Sequence, residues 1–225
     1  MHDAHKPSTP TAHAAVQPLD DDLNDAGPAS AGTDRGGSLG DRLAFLLGFV
    51  RDPAGVGSVV PSSRRLEQRL VRNAAIADAR TVVELGPGTG GTTRAFLRAM
   101  GPQGRLVAIE LDPVFHARLA DTIRDPRLFA ECGSAERIAD YLAARRLPAP
   151  DAIVSGIPFS TMPQDVSERI AKAVADVLAP GGRFVAYQVR PRVADYATPH
   201  LGAPALEWEA WNIPPMRVFT WVKPA

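Results

Sequence analysis

The chain has 225 residues, enough for one α/β domain with additional segments, and 45% of them are hydrophobic, which suffices for a full core. Its formal net charge is +0, so a general affinity for polyanions is not indicated. A single cysteine, Cys132, excludes an internal disulfide and agrees with a reducing compartment. Neither a membrane-spanning run nor a signal peptide is evident, so we expect a cytoplasmic protein, with peripheral membrane binding left open.

Residues 1–37 have the composition of a disordered tail. They are rich in alanine, proline, threonine, aspartate and glycine, and such a segment cannot bury enough surface to offset the entropy lost on ordering. Six aspartates against one lysine and one arginine make the tail acidic. Its histidines match no metal-site spacing, and we expect no metal in this protein.

Residues 38–80 are predicted to form a helical segment ahead of the main domain. Ser38 and Asp41 have the spacing of a capping box, and a helix over residues 38–50 follows. This helix is apolar nearly all round, so it is either covered by the domain or lies in a membrane interface, and both remain open.

A second helix in this segment is predicted from a cap at Ser62 or Ser63 to about residue 77. One of its faces carries an arginine stripe, Arg65, Arg69 and Arg72. Such a stripe is either a solvated face or a contact for phosphate groups, which lipid headgroups or RNA would supply.

A strand predicted over residues 81–85 runs into a glycine-rich turn. The glycines are Gly86, Gly88, Gly90 and Gly91. Three of them fit G-x-G-x-x-G, a pattern that is typical of dinucleotide sites but weak by itself. Glu84 precedes the first glycine by two residues and would repel a pyrophosphate. It suits a positively charged ligand instead, such as the ammonium group of S-adenosylmethionine (SAM).

Helices and strands alternate through residues 81–225, which predicts a doubly wound α/β sheet with helices on both faces. The predicted helices cover residues 93–100, 114–123, 136–145 and 164–178. The predicted strands cover residues 105–109, 127–130, 152–154 and 182–189, and a closing pair covers 207–212 and 216–222.

Polar or rigid groups follow two of these strands. Glu110 ends the second strand, one βαβ unit after Glu84, where an acid can accept both hydroxyls of a ribose. A helix cap is the alternative for this acid, but Asp112, followed by Pro113, already provides that cap. The fourth strand is followed by Ile157, Pro158 and Phe159. A rigid proline and an exposed Phe159 there would shape a pocket for an acceptor, although an ordinary loop is the alternative.

From residue 38 onward, the chain resembles the bacterial phospholipid N-methyltransferases, a branch of the class I methyltransferases related to the ribosomal RNA adenine dimethylases. The resembling segments are residues 57–63, 83–90, 155–159 and 212–215. The resemblance implies a Rossmann-like fold with a mixed seven-stranded sheet and an N-terminal helical extension. It also implies SAM as cofactor and methyl transfer to the amine of phosphatidylethanolamine or a similar aminolipid. An anionic membrane surface is then a partner, bound through the helix over residues 38–50.

The resemblance also implies roles for site residues. Glu84 and the turn would hold the methionine end of SAM, and Glu110 the ribose. Ser134 stands where many relatives have an aspartate that holds the adenine amino group, and Ser134 and Ala135 are assigned to the cofactor. Ser155 is assigned to both the cofactor and catalysis.

Tyr187, on the fifth strand, is a candidate orienter or base, because the acceptor amine must lose a proton before it attacks. A core aromatic is the alternative. The strand reads Ala-Tyr-Gln around Tyr187, which departs from the pattern of the lipid enzymes and leaves the substrate open.

The related RNA dimethylases begin the fourth-strand motif with asparagine or aspartate, where this chain has Ser155, and they append a helical RNA-binding domain after the sheet. We therefore expect no nucleic-acid partner. Adenine dimethylation of ribosomal RNA and SAM binding without catalysis remain the alternatives.

Overall fold

The computed structural model describes residues 62–212 and 214–225. The tail predicted over residues 1–37, the helix predicted over residues 38–50 and most of the segment 57–63 lie outside the described residues. These features stay predictions, and so does the division of the chain into three segments. Within the described part, no helix is both long enough and apolar enough to cross a bilayer.

Helices and strands alternate along the described part of the chain. The helices are α1 (Arg64–Asn73), α2 (Gly91–Ala99), α3 (Pro113–Thr122), α4 (Ile138–Ala144), α5 (Gln164–Val177) and α6 (Val193–Leu201). The strands are β1 (Thr81–Leu85), β2 (Arg105–Glu110), β3 (Leu128–Cys132), β4 (Ala152–Ser155), β5 (Arg183–Gln188), β6 (Ala205–Glu209) and β7 (Met216–Val222). A short 3₁₀ turn, Ala135–Arg137, leads into α4.

The seven strands form one mixed sheet in the order β3-β2-β1-β4-β5-β7-β6. Strands β1 to β5 pair in parallel, whereas β7 is antiparallel to both β5 and β6. The chain reverses its direction of winding between β1 and β4. Ligands of such sheets bind beyond the carboxyl ends of the strands at that switch point. The predicted Rossmann-like, mixed seven-stranded fold is confirmed.

The central strands are apolar on both faces because helices cover both of them. One face carries Val82, Leu106, Ala152 and Val154 against α1 and α2. The opposite face carries Val83, Leu85, Val107, Ile109 and Ile153 against α4, α5 and α6. Alternation along each strand therefore divides the core into two layers, and the polar side chains are left at the strand ends.

Two predicted helix caps are confirmed. The Ser63 hydroxyl accepts a hydrogen bond from the Leu66 N–H at 3.2 Å and starts α1. The Asp112 carboxylate accepts from the Val114 N–H at 2.7 Å and starts α3, with Pro113 in the first turn. Both caps satisfy N–H groups that have no partner inside the helix.

Several boundaries differ from the predictions. Helix α1 ends at Asn73 rather than near residue 77, because Ala75 adopts a left-handed conformation with φ 49°. Helix α6 was not predicted, because a proline inside a helix normally interrupts it. Here Pro199 lies near the end of the helix. The signal for α6 was the four-residue spacing of its buried side chains, Val193, Ala197 and Leu201.

Two arginines of the α1 stripe form ion pairs within the protein. Arg69 donates to Glu209 at 3.0 Å and also to Glu207. Arg72 lies 3.2 Å from the same Glu207 carboxylate. These ion pairs tie α1 to strand β6, and Arg65 is the arginine of the stripe that holds no ion pair within the described residues.

Candidate functional site

The candidate site is the crevice at the carboxyl ends of β1, β2 and β4. Leu85 and Ser155 are register partners at the ends of β1 and β4. The Gly86 N–H donates to the Ile109 carbonyl at 3.0 Å, and the Gly156 N–H donates to the Leu85 carbonyl at 2.9 Å. The two loops that leave β1 and β4 therefore begin side by side at the switch point.

The glycines of the first loop are required for different reasons. Gly86, Gly88 and Gly90 all have positive φ, at 73°, 53° and 78°. A Cβ on Gly90 would lie 2.7 Å from Leu119 Cδ1, so this glycine lets α2 pack against α3. A Cβ on Gly88 would meet nothing within 4 Å. The backbone at Gly88 therefore borders open space, as a close ligand contact requires.

Glu84 lies beneath this turn rather than at its surface. Glu84 is only 2% exposed. Its two carboxylate oxygens accept hydrogen bonds, one from the Thr92 hydroxyl and one, at 2.6 Å, from the Thr93 hydroxyl. Burial raises the pKa of Glu84 to about 7, against the lowering effect of the two threonines. The carboxylate thus fixes the first turn of α2, and its predicted contact with an ammonium group stays a prediction.

Glu110 is also buried, at the end of β2. Its carboxylate accepts from the Gly88 N–H at 2.9 Å and from the Asp112 N–H at 3.0 Å. Burial raises the pKa of Glu110, and these backbone donors partly offset the rise. The acid and the glycine turn are thus in direct contact, which places a strong acceptor beside the open backbone of Gly88.

Ser134 and Ala135 follow β3 at the same edge of the sheet. The Ser134 hydroxyl accepts from the Glu136 N–H at 3.2 Å and caps the 3₁₀ turn, while Ala135 is buried. Gly133 lies directly before them, and a Cβ there would lie 2.2 Å from the Tyr141 hydroxyl oxygen. The need for glycine at this position was not recognised in the sequence, because only the fold brings α4 against this loop.

The loop after β4 corrects one prediction, the exposure of Phe159. Ser155 is fully buried, and its hydroxyl lies 3.3 Å from the Ile157 N–H, so it helps to shape the loop. Its roles in cofactor binding and catalysis stay predictions. Phe159 was predicted to be exposed but is only 1% exposed, with its ring 6.2 Å from that of Tyr196. A tight turn after Ile157 directs the ring into the core. Pro158 is exposed and Ile157 is half-buried, so these two residues border the crevice.

Tyr187 extends from β5 to the crevice. Its hydroxyl lies next to the Thr92 and Ser62 hydroxyls, and a Cβ on Gly156 would lie 2.5 Å from the phenol oxygen. Burial, with the nearby Glu84 charge, raises the pKa of Tyr187 still further above its ordinary value of 10.0. The phenol therefore stays protonated at neutral pH. This geometry fits an orienting hydrogen bond and is unfavourable for a general base.

Comparison with known proteins identifies the domain. The family described as "Methyltransferase domain" matches residues 82–182. The chain is 32% identical over 145 residues to the ornithine lipid N-methyltransferase of Singulisphaera acidiphila, an alignment that covers 64% of this chain and 76% of that one. This protein belongs to the class I SAM-dependent methyltransferases. The predictions of the family, of an enzyme and of SAM as cofactor are confirmed.

Other matches agree with this assignment. The ribosomal RNA small subunit methyltransferase A of Paenarthrobacter aurescens is 35% identical over 120 residues, which cover 53% of this chain and 40% of that enzyme. An O-methyltransferase from Bacillus cereus, solved in complex with SAH, superposes with a TM-score of 0.60 at 14% identity, covering 81% of this chain and 91% of that chain. At this identity, the superposition shows a shared fold.

Groups that can hydrogen-bond SAM line the crevice of this methyltransferase at the carboxyl ends of β1, β2 and β3. Glu110 offers carboxylate oxygens to a diol, and the Gly88 backbone lies open beside it. Ser134 lies at the end of the neighbouring strand, where a hydroxyl can hydrogen-bond a polar ring edge. Glu84 supports the glycine turn through its hydrogen bonds from Thr92 and Thr93. The individual residue assignments stay predictions.

Proposed function

We propose that this methyltransferase transfers methyl groups to the amine of a membrane aminolipid such as phosphatidylethanolamine. The observation that carries the proposal is the alignment with the ornithine lipid enzyme, which extends over 76% of that relative at 32% identity. The match to the ribosomal RNA enzyme extends over 40% of its length, so it concerns a smaller share of that protein.

The acceptor side of the crevice supports an apolar acceptor. The Ile157 carbonyl accepts from the Gln188 side chain at 2.6 Å, and Ser155 uses its hydroxyl on the loop backbone. These polar groups are therefore engaged within the protein. The ring of Pro158 and the side chain of Ile157 remain to contact a substrate, which suits a lipid better than a base that is read by hydrogen bonds.

The residues on this side can orient an amine. When bound, SAM supplies a methyl group on a positively charged sulfur, which is a good leaving group. The enzyme then has to align the amine and exclude water. Tyr187, which stays protonated, can hydrogen-bond the lipid headgroup and position its nitrogen. The proton of the ammonium form leaves to solvent, so the reaction should accelerate with rising pH until the amine is neutral.

A direct assay with isotope-labelled SAM tests the proposal. Purified protein is incubated with vesicles that contain phosphatidylethanolamine, with vesicles that contain ornithine lipid, and with small ribosomal subunits. We expect label in the lipid fraction, as mono-, di- or trimethylated headgroups by mass spectrometry. A Gly88→Val variant, whose side chain enters the crevice, is the control for contaminating activity.

Methylation of ribosomal RNA is the second candidate, favoured by the 35% identity to the Paenarthrobacter enzyme. Label in adenines of the ribosomal subunits with none in either lipid would contradict the lipid proposal and support this candidate. Label only in ornithine lipid would keep the aminolipid class and exclude phosphatidylethanolamine as the acceptor.

A further inference from the structure

Two tryptophans are exposed on the strand β6 side of the sheet. Trp208 lies on β6 and is 52% exposed, and Trp211 follows the strand and is 73% exposed. Tryptophan is normally a highly buried residue, so two such side chains within four positions require an explanation.

Both tryptophans lie at the edge of the sheet that contains the crevice. Strand β7 is antiparallel to β5 and to β6, so β6 runs parallel to β5 and ends at the same edge. Trp208 is the register partner of Arg217, which is in turn the partner of Gln188 at the end of β5. The Asn212 carboxamide, next to Trp211, accepts from the Ser63 N–H at 3.1 Å. This contact places Trp211 beside the start of α1.

Arginines accompany the two rings. The Arg217 guanidinium lies 4.2 Å from the ring centre of Trp208, and that of Arg65 lies 5.1 Å from the ring centre of Trp211. Arg190 is exposed on the loop that follows β5 at this same edge. Within residues 62–212 and 214–225, none of these three arginines forms an ion pair with a carboxylate. Their charges are therefore available to an anionic partner.

We propose that these five residues form a collar that docks on the surface of an anionic lipid bilayer. The collar consists of Trp208, Trp211, Arg65, Arg190 and Arg217. Docking through it brings the carboxyl edge of the sheet, with its crevice, to the headgroup layer where an aminolipid amine lies. The inference rests on the proposed lipid substrate, because it explains how an enzyme with this crevice reaches an amine at a membrane.

The chemistry of the collar favours a bilayer over RNA. Indole rings have an apolar body and a polar N–H, and they are preferred at the boundary between headgroups and acyl chains. Arginines beside them meet lipid phosphates. A surface that binds single-stranded RNA also combines aromatic and basic side chains, so binding to an RNA fragment is measured beside binding to vesicles.

Vesicle binding by the full-length protein tests the collar without requiring catalysis. Co-sedimentation is measured with vesicles of phosphatidylcholine alone and with vesicles that contain phosphatidylglycerol. We expect Trp208→Ala/Trp211→Ala to weaken binding to the anionic vesicles at least tenfold. Val222→Ala is the matched control, because Val222 is 54% exposed but lies at the opposite end of the sheet, and it should bind like the wild type.

A second variant keeps the test decisive if removal of the tryptophans perturbs folding. Arg65→Glu/Arg190→Glu changes two exposed side chains that hold no ion pair within the described residues. We expect this variant to lose binding to anionic vesicles at low salt, while SAM binding by calorimetry and the thermal midpoint stay unchanged. The matched control is Arg124→Glu, which reverses the charge of an exposed arginine in the loop that follows α3, away from the collar.

The outcomes separate this inference from the proposed function. Methylation of a dissolved short-chain aminolipid needs no docking, so the collar variants should retain it while losing activity on vesicles. Wild-type binding of both collar variants to anionic vesicles would overturn the collar, even if lipids are methylated. If the collar variants bind vesicles like the wild type but no longer bind a ribosomal RNA fragment, this surface is assigned to RNA instead. A wild-type protein that methylates no aminolipid would refute the proposed function itself.

Discussion

The two sides of the crevice use their charged groups in opposite ways. On the cofactor side, Glu84 and Glu110 are buried, and each accepts two hydrogen bonds from the protein itself. On the β6 side, Arg65 lies over an exposed tryptophan and holds no ion pair within the described residues. A buried site whose carboxylates are held by hydrogen bonds is preorganised for one polar ligand. An exposed aromatic and basic surface suits a partner that presents an extended surface.

The largest effect should come from the tight turn on the cofactor side. In Gly90→Val, the new side chain would be placed at positive φ, and its Cβ would lie 2.7 Å from Leu119 and 2.9 Å from Ile123. Strain and overpacking together should cost about 4 kcal/mol of stability. Thermal unfolding measures this. Gly101→Ala, where a Cβ meets nothing within 4 Å, is the matched control. Equal midpoints of thermal unfolding for the two variants would contradict the requirement for glycine at position 90.

The next effect concerns the attachment of α1 to β6. Glu209 is buried, and Arg69 is its ion-pair partner at 3.0 Å. In Arg69→Ala, a buried carboxylate loses that partner, which should cost about 3 kcal/mol in urea unfolding. Arg72→Ala removes a mostly exposed arginine from the same helix and should cost less than about 0.5 kcal/mol. A small cost for both would mean that α1 is held by apolar packing alone.

The buried carboxylate Glu84 should make stability depend on pH. Its pKa is raised from 4.5 to about 7, so the folded protein keeps a proton that the unfolded chain releases between these values. Stability from this group is therefore complete below pH 4.5 and falls as the pH rises to about 7, by on the order of 3 kcal/mol. Glu84→Gln mimics the protonated form and should remove that decline. Urea unfolding at pH 5 and at pH 8 measures the difference. An identical decline in both proteins would refute this role of Glu84.

The smallest effect is expected at the boundary between the two sides. Tyr187→Phe removes an orienting hydroxyl and should lower kcat about tenfold, with SAM affinity unchanged. If Tyr187 orients the amine, the rate of the variant should still rise with pH, as in the wild type. A variant whose rate no longer depends on pH would instead identify Tyr187 as the base. Tyr196→Phe, on α6, is the matched control for loss of a phenol hydroxyl.

Local sequence patterns were sufficient to predict the elements on the cofactor side of the crevice. The strand with Glu84, the three glycines, Glu110 at the next strand end and the Asp112 cap are close in sequence, and their periodicity or turn chemistry identifies each of them. Even there, the direction of the Glu84 side chain was not predictable. Thr92 and Thr93 approach it only after α2 packs against β1, and their hydroxyls then hold the carboxylate in place.

The side-chain contacts on the β6 side could not be predicted, because they join distant parts of the chain. Arg69 and Glu207 are 138 positions apart, so the stripe on α1 could not be recognised as an internal ion network. The exposure of Phe159 was predicted wrongly for the same reason, because the ring is covered by Tyr196 of a helix that was not predicted. The pairing of two tryptophans with two arginines was likewise invisible in sequence order.

The sequence by itself determined the alternation of strands and helices, the glycine turn with its flanking acids, and the resemblance to SAM-dependent methyltransferases. These features arise from residues within a few positions of one another, where backbone conformation and hydrophobic period act directly. The tertiary structure decided which side chains are exposed and which are already bonded. Burial and pairing depend on what the fold brings against each residue, and no local pattern specifies that neighbour.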